Sequence, residues 1–333
     1  MRTPDAWSRK GAVSTMLLPV SWLYALSTGM RVQRAPRYAP PAPAICIGNL
    51  TAGGAGKTPV VLSLALWFQE RGRRPFAVSR GYGGRLAGPV RVDPAVHTAR
   101  EVGDEPLLLA GTLPTVVARD RAAGAQAAVE GGADILLLDD GHQNPAVEKA
   151  LSLVVVDGGF GFGNGRTIPS GPLRETVGRG LARANAAVIV GADSAGAMHR
   201  CRREASGLPL LDAHFLPTEA ALALQGRKVV AFAGIGRPDK FFETVKDIGA
   251  DLTEAMAYPD HYPFPETEIM FICEVAQERG AIPVCTEKDY MRLPADARLM
   301  VTPVPVTLEW RDPDALDRLL EAVLKGRESA ESN

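Results

Sequence analysis

The most informative segment of this chain reads Gly48-Asn49-Leu50-Thr51-Ala52-Gly53-Gly54-Ala55-Gly56-Lys57-Thr58. It follows an apolar run, residues 44–48, that predicts a β-strand, and it precedes residues 59–71, which predict a helix. Glycines let backbone N–H groups approach phosphate oxygens, and the N-terminus of the following helix adds a partial positive charge. We therefore expect residues 51–58 to form a phosphate-binding loop.

Two side chains of this loop have expected roles. Lys57 would reach the β- and γ-phosphates of a nucleotide, and Thr58 would offer its hydroxyl to magnesium. The strict pattern has glycine five residues before Gly56, where this chain has Thr51, and the glycines at 53 and 54 partly offset that departure. The alternative, a flexible glycine loop without a ligand, is disfavoured by the strand-loop-helix context.

A pair of acidic residues ends another apolar run. Asp139 and Asp140 follow residues 135–138, which are all aliphatic. A phosphate loop needs an acid on a neighbouring strand to hold magnesium, and adjacent acids at the end of a buried strand are costly unless they bind something. We therefore expect Thr58, Asp139 and Asp140 to be metal ligands. A solvated turn is the alternative interpretation.

Apolar runs alternate with helical stretches up to about residue 215. Further strands are predicted at residues 75–79, 115–118, 134–138, 151–156 and 186–190. This alternation predicts an α/β fold of the P-loop NTPase kind, with a doubly wound, mainly parallel sheet. We assign this domain to residues 35–220.

A second, smaller α/β domain is predicted for residues 221–333. Its strands are expected at 229–233 and 282–286, and its helices at 238–247, 265–279 and 312–324, the last of which would close the domain. A cleft between two such domains is a common place for a ligand.

Composition limits the range of functions. The 333 residues are 46% hydrophobic and carry a formal net charge of -1. Such a chain can bury one large or two ordinary cores, and it lacks a general basic surface for nucleic acid. The four cysteines have no C-x-x-C spacing, which is typical of buried thiols in a reducing compartment. We expect a cytosolic body with no structural zinc and no nucleic-acid partner.

The N-terminal segment, residues 1–34, differs from the rest of the chain. Residues 12–26 are apolar but too short to span a bilayer, which needs about 20 apolar residues. At helical spacing, three large apolar residues form one face and two serines the opposite face: Met16, Val20, Leu23, Ser14 and Ser21. The pattern favours an amphipathic helix on an anionic membrane surface, flanked by arginines. An ordinary core helix and a signal peptide are the alternatives.

Several further motifs follow in one order along the chain. They are SRGYG at 79–83, VGDEP at 102–106, DDGHQ at 139–143, GPLRE at 171–175, PDHY at 259–262 and TEKD at 286–289. With the phosphate loop, these motifs make the chain resemble the tetraacyldisaccharide 4'-kinase family of lipid A synthesis over most of its length.

The resemblance implies a kinase with ATP and Mg²⁺ as cofactors. It implies transfer of the γ-phosphate to the 4'-hydroxyl of a tetraacylated glucosamine disaccharide 1-phosphate, which gives the 4'-phosphorylated lipid A precursor. It also implies a peripheral position at the cytoplasmic face of the bacterial inner membrane. The lipid disaccharide and an anionic membrane surface are then the partners, and no obligate protein partner is inferred.

Catalytic roles also come from the resemblance. It implies that Asp104 is the base and that His261, from the other domain, forms a dyad with it, while Lys57 stabilises the transferred phosphoryl group. Glu105 is a possible outer metal ligand. Domain closure would then assemble the site only when both substrates are present. Taken alone, the sequence around His261 favours a surface hydrogen-bonding role.

Six further residues are candidates for substrate contacts. Their side chains suit phosphate or sugar, and several follow strands at the sheet edge where ligands bind in such folds: Asn49, Arg80, Tyr82, Arg121, Gln143 and Arg174. A surface ion pair is the alternative role for each arginine, and a tight structural turn is the alternative around Tyr82.

Two other functions compete with the kinase. A membrane-associated ATPase switch of the deviant P-loop kind has lysine where this chain has Ala52, and it would leave the second domain without a role. A dinucleotide-binding oxidoreductase would rest on Gly234 and Gly236 alone.

Overall fold

The computed structural model describes Trp7 and residues 9–331, with side chains described up to residue 325. Over these residues the strands form two sheets, in the orders β13-β8-β7-β6-β1-β5-β2-β4-β3 and β10-β9-β11-β12. The strands are β1 (Ala44–Gly48), β2 (Pro75–Ser79), β3 (Val90–Arg91), β4 (Thr115–Val117), β5 (Ile135–Asp139), β6 (Leu151–Asp157), β7 (Ala186–Val190), β8 (Leu210–Pro217), β9 (Lys228–Ala233), β10 (Asp251–Ala257), β11 (Ile282–Thr286), β12 (Thr302–Val304) and β13 (Val306–Trp310).

Helices connect and cover the strands. They are α1 (Ala12–Met16), α2 (Leu18–Val32), α3 (Lys57–Glu70), α4 (Ala99–Val102), α5 (Asp104–Ala110), α6 (Arg121–Glu130), α7 (Val177–Leu181), α8 (Ala197–Glu204), α9 (Glu219–Leu222), α10 (Pro238–Asp247), α11 (Glu266–Glu278), α12 (Glu287–Tyr290), α13 (Ala295–Arg298) and α14 (Pro313–Glu331). The predicted α/β class and mainly parallel sheet are confirmed.

The order of the central strands places the functional motifs together. Strand β1 lies between β5 and β6, and β2 lies beyond β5, all in parallel. These strands are buried along their whole length, as near-continuous aliphatic runs in a covered parallel sheet should be. Because parallel strands end at the same edge, Gly48, Ser79, Asp139 and Asp157 lie along one edge of the sheet.

The C-terminal segment corrects one predicted boundary. Strand β13 pairs antiparallel with β8 in the large sheet. In helix α14, Leu316 and Leu320 are buried in the same core as Leu64 and Phe68 of α3. The prediction that a closing helix belongs to the smaller domain, 221–333, is therefore wrong at its C-terminal end. The apolar face of α14 packs into the core that α3 shares with the large sheet.

The N-terminal helices expose their apolar side. The segment predicted as one helix is divided at Leu17, and Pro19 occupies the first turn of α2, where its missing N–H costs nothing. The polar side is buried against the body: the hydroxyl of Ser21 donates to the carbonyl of Thr167 at 2.8 Å and lies 2.7 Å from the hydroxyl of Ser170. The apolar side points away, with Val13, Met16, Val20, Trp22, Leu23, Leu26 and Met30 all more than half exposed.

Helices long and apolar enough to cross a membrane were sought over the described part of the chain, and none is present there.

Candidate active site

The phosphate loop lies between the end of β1 and the start of α3. Gly53 (φ 106°) and Gly56 (φ 87°) adopt left-handed backbone conformations, which glycine reaches without strain. They turn the chain so that it enters α3 at Lys57, at a helix terminus whose first N–H groups have no partner within the helix. The residues predicted to cradle phosphate, 51–58, therefore lie together at the N-terminal end of a 14-residue helix.

Thr51 departs from the strict loop pattern because its backbone is extended rather than turned. It forms an antiparallel bridge with Leu173. The next residue, Ala52, donates its N–H to the carbonyl of Pro172 at 2.8 Å. The first half of the loop is thus tied to the GPLRE turn, and an extended residue does not need the conformational freedom of glycine.

Asp140 is the charged partner of the loop lysine. Its Oδ1 lies 3.6 Å from Nζ of Lys57, and its two carboxylate oxygens lie 2.7 and 2.9 Å from Nη1 of Arg174. Burial acts to raise the pKa of Asp140, but the two cations outweigh it and hold that pKa well below its usual range. Asp140 is therefore ionised, and Arg174 acts here as its counter-ion.

Asp139 is in a different electrostatic state. Its Oδ2 accepts a hydrogen bond from the hydroxyl of Ser79 at 3.0 Å, whereas its buried Oδ1 has no hydrogen-bond donor among the described residues. Burial, together with the charge of Glu105, raises the pKa of Asp139 to about 6. A buried carboxylate oxygen without a donor beside a phosphate loop is well suited to a cation or its bound water.

The donor set fits magnesium carried on a nucleotide. No group of three or more His, Cys, Asp or Glu side chains in the described part of the chain is arranged to hold a metal on its own. Magnesium at nucleotide sites is held by one or two protein groups together with phosphates and water. Asp139, Asp140 and Thr58 suit that role, whereas Glu105 pairs with Lys288 at 3.0 Å.

Asp104 and His261 meet across the two domains. Asp104 is the first residue of α5 and is 3% exposed, and His261 lies in the loop after β10 with a left-handed backbone, φ 57°. Nδ1 of His261 is 3.0 Å from Oδ2 of Asp104. The structure thus brings together two residues that the sequence separates by 157 positions. Their catalytic role stays a prediction.

Cations of the smaller domain hold Asp104 ionised. Nε of Arg292 lies 2.9 Å from Oδ2 of Asp104, and the positive charge of Lys288 acts on the same carboxylate. Burial acts to raise the pKa of Asp104, but the hydrogen bond from His261 and these cations hold it well below its usual range. Asp104 is therefore a buried anion with charged neighbours on one side.

The TEKD motif supports the loop that carries His261. Asp289 accepts hydrogen bonds from the hydroxyl of Thr286 at 2.6 Å and from the N–H of Gly234 at 3.1 Å. The carbonyl of Gly234 in turn accepts from the N–H of His261 at 2.9 Å and from Arg292 at 3.0 Å. The contacts of Thr286 and Asp289 are therefore structural.

Three of the candidate substrate residues donate hydrogen bonds within the protein, although the buried Oδ1 of Asn49 has no donor among the described residues. Arg121 is 4% exposed and donates to backbone carbonyls at the ends of β2 and β5. Gln143 donates to the carbonyl of Asn49 at 2.9 Å, and Asn49 donates to the carbonyl of Gly53 at 3.2 Å. In this structure they support the sheet edge and the phosphate loop.

Arg80 and Tyr82 lie on the open side of the site. Tyr82 is 70% exposed, and its ring centroid is 5.4 Å from that of His261. Arg80 is exposed directly after β2. Of the six candidate substrate residues, these two are exposed, and Tyr82 is the one that lies beside the dyad.

His142, next to the acidic pair in sequence, is buried and structural. Its Nδ1 is 2.9 Å from the hydroxyl of Ser152, and its Nε2 is 2.9 Å from the carbonyl of Gly180. Since a carbonyl only accepts, Nε2 carries the proton and Nδ1 accepts from Ser152. Burial, together with the charge of Arg183, lowers the pKa of His142 to about 4.

Sequence reasoning missed Ser79, Lys288 and Arg292 as supports of the acidic groups. Ser79 opens the SRGYG motif and ends β2, so its place at the sheet edge was predictable. Arg292 follows Asp289 by three residues, the spacing of one helical turn, and this was the available signal for their ion pair.

Comparison with known proteins gives the family. A family model described as tetraacyldisaccharide-1-P 4'-kinase matches residues 13–325. The tetraacyldisaccharide 4'-kinases of Rhodospirillum centenum and Rhodospirillum rubrum are 49% and 48% identical to this chain, each covering 98% of it and 98% and 99% of their own length. A crystal structure of LpxK from Aquifex aeolicus in complex with ATP matches with a TM-score of 0.73 at 25% identity, over 93% of this chain and 99% of that one. The chain therefore belongs to the tetraacyldisaccharide 4'-kinase family.

Proposed function

We propose that this protein transfers the γ-phosphate of ATP to the 4'-hydroxyl of a tetraacylated glucosamine disaccharide 1-phosphate. The observation that carries the proposal is the Asp104–His261 contact beside the acidic pair: Gly103 lies against Gly81 and Tyr82, which follow β2, and the charge of Glu105 acts on Asp139. Family membership and the ATP complex of the Aquifex aeolicus protein support the same conclusion.

The phosphate loop supplies binding and charge neutralisation. Backbone N–H groups of residues 53–56 and the start of α3 would hold the β- and γ-phosphates, and Lys57 would exchange its contact with Asp140 for the transferred phosphoryl group. Asp139, Asp140 and Thr58 would hold Mg²⁺. When bound, this ion neutralises charge that develops on the phosphate oxygens.

The dyad accepts the proton of the attacking hydroxyl. With Asp104 ionised against Nδ1–H of His261, the imidazole keeps a lone pair on Nε2. The resemblance implied Asp104 as the base, but Asp104 is the deeper of the two, so we assign the proton acceptor to His261, with Asp104 orienting its imidazole. The 4'-oxygen bonds to the γ-phosphorus as the bond to the β-phosphate oxygen breaks, the proton passes to Nε2, and ADP leaves.

The substrate carries acyl chains, and the exposed apolar side of α1 and α2 gives the enzyme a way to reach it. We infer that this side lies in the interfacial region of an anionic membrane, at the cytoplasmic face of the inner membrane. Of the flanking arginines, Arg37 is paired with Asp120 at 2.7 Å and contributes less. The apolar side is therefore the main anchor.

Substitutions in the dyad should lower turnover without changing nucleotide binding. With ATP, Mg²⁺ and the lipid disaccharide, Lys57→Ala should abolish phosphorylation, and Asp104→Asn and His261→Ala should each lower kcat by about 10²–10⁴ with ATP affinity unchanged. Lys228→Ala, an exposed lysine at the start of β9, is the matched control. Retention of most activity by Lys57→Ala would remove the phosphate-loop assignment.

A further inference from the structure

Two cations of the smaller domain share one carboxylate of the large domain. Asp157 ends β6 and is 6% exposed. Its Oδ2 pairs with Arg237 and, at 3.1 Å, with Nζ of Lys240. Among the described residues no other carboxylate forms an ion pair with either cation. One negative charge therefore faces two positive charges, and the cluster keeps a positive excess.

This cluster borders the phosphate loop. Asp157 lies opposite Val190 in the parallel pair of β6 and β7, and a side chain atom of Val190 is 3.4 Å from where a Cβ on Gly56 would lie. On the other side, a Cβ on Gly236 would lie 3.9 Å from the backbone nitrogen of Gly54. Arg237 is the next residue along that loop of the smaller domain.

Lys240 approaches the same loop by a second route. Its Nζ lies 4.8 Å from the ring centroid of Phe215. The ring of Phe215 is 3.4 Å from the Cβ position of Gly56. A single residue therefore separates each cation from the loop glycines: Gly236 for Arg237 and Phe215 for Lys240. Both cations lie in the segment that begins α10.

The two carboxylate oxygens of Asp157 have different partners. Oδ1 accepts hydrogen bonds from the N–H groups of Gly159 at 2.9 Å and Phe160 at 3.1 Å, so this oxygen holds the turn after β6. Oδ2 meets the two cations. Oδ1 thus stabilises the turn, and Oδ2 can lose its contacts with the two cations without disturbing that turn.

We propose that Arg237, assisted by Lys240, binds the phosphates of the nucleotide from the smaller domain, and that Asp157 is the counter-ion that holds the pair until nucleotide displaces it. The triphosphate carries more negative charge than one carboxylate and accepts a planar guanidinium at two oxygens. The exchange couples nucleotide binding to the position of the smaller domain that also carries His261. This inference rests on the proposed ATP-dependent reaction.

The test is the affinity for ATP and for AMP, measured by calorimetry on the full chain with Mg²⁺. Arg237→Gln should weaken ATP binding by about tenfold or more, the scale of one charge-assisted hydrogen bond, with AMP binding unchanged. Arg237→Lys should retain most of the ATP affinity. Asp157→Asn keeps an acceptor at Oδ1 and should tighten ATP binding by about threefold or more, because the competing charge is gone.

A contact that only joins the domains predicts the opposite pattern. In that case Asp157→Asn weakens ATP binding as Arg237→Gln does, and this result would overturn the proposal, as would wild-type ATP affinity in Arg237→Gln. Asp212→Asn and Arg311→Gln, an ion pair of 2.9 Å at another place in the large domain, are the matched controls. If the wild-type protein itself fails to bind ATP, the proposed reaction fails instead, so the two failures are distinguishable.

Discussion

At the scale of single residues, two adjacent aspartates take different electrostatic states. Burial acts on both Asp139 and Asp140, but only Asp140 has Lys57 and Arg174 against its carboxylate. Asp139 has one hydroxyl donor and an unpaired oxygen, so burial and the charge of Glu105 raise its pKa. A bound cation near Asp139 would lower this pKa, so the site gains more from a cation at Asp139 than at Asp140.

His142 gives a pH-dependent stability that can be measured. Its pKa is lowered to about 4 in the folded protein from 6.5, so between these values the unfolded chain binds a proton that the folded chain does not. The free energy of unfolding should therefore decrease as the pH is lowered through this window, and at pH 4.5 it should be about 2 kcal/mol smaller than at pH 7.5. Urea unfolding at pH 7.5 and 4.5 should show a smaller fall in His142→Gln.

The control for this prediction is an exposed histidine. His199 lies on the solvent side of α8, and His199→Gln should leave the pH dependence of stability as in the wild type. Equal pH dependence in the wild type and His142→Gln would contradict the assignment of His142 as a buried neutral group.

The placement of the site residues was predictable from the sequence where a motif contains them. The loop 51–58 and the pair Asp139–Asp140 lie at the sheet edge that their residue types and spacing predicted. The guanidinium of Arg292 has no such pattern, because its partner Asp104 lies 188 positions away in the sequence, as the difference of their numbers gives. Contacts between residues so far apart in the sequence depend on how the two domains pack together, and this packing cannot be predicted from local sequence.

At the scale of elements, the N-terminal helices invert the usual arrangement of a surface helix. In most surface helices the apolar stripe faces the core. Here Ser14, Ser21 and Thr28 are buried, and the large apolar side chains are exposed. Hydrogen bonds between Ser21 and residues 167 and 170 hold the helix on the body and leave its apolar side free to contact a membrane surface.

One charge on that apolar side should weaken membrane binding. Leu23 is 69% exposed, so Leu23→Glu should leave folding stability unchanged but lower binding to phosphatidylglycerol vesicles by about tenfold or more, the scale of one large apolar side chain lost from the interface. Sedimentation with vesicles measures this. Leu299→Glu, at an 88% exposed leucine outside these helices, is the control and should bind as the wild type. Unchanged binding of Leu23→Glu would place the anchor elsewhere.

Elements of the parallel sheet were predictable because they are long aliphatic runs. Strands β1, β2 and β7 have the predicted bounds, as does α10 in the smaller domain. The strands that sequence reasoning missed, including β8, β10 and β13, are partly exposed and lack a continuous apolar run. Their position in a sheet comes from a neighbouring strand more than from their own composition.

At the scale of the whole molecule, the smaller domain lies between two segments of the large one. The chain forms the four-stranded sheet after β8 and then returns to the large sheet at β13. The returning segment anchors itself with Leu320, which is fully buried beside α3, and with Asp317, whose carboxylate accepts a hydrogen bond from the indole of Trp67 at 2.6 Å. Two connections therefore join the domains, which limits how the smaller one can move against the phosphate loop.

Removal of Leu320 should destabilise the large domain. Leu320→Ala leaves a cavity in its core and should lower the free energy of unfolding by about 2–5 kcal/mol. Hydrogen exchange should then increase in α3 and β13 before it increases in β9. Leu299→Ala, at an exposed position, should change neither quantity. Faster exchange confined to the smaller sheet would contradict the observed packing of α14.

The position of new phosphate on the lipid distinguishes a lipid kinase from a nucleotide switch. Purified protein, ATP, Mg²⁺ and the tetraacylated disaccharide 1-phosphate are incubated together, and the product is examined by mass spectrometry and by phosphorus–proton correlation NMR. We expect one added phosphate, bonded to the 4'-oxygen, with one ADP formed for each. Consumption of ATP with the lipid unchanged would instead identify a nucleotide switch and would contradict the kinase assignment.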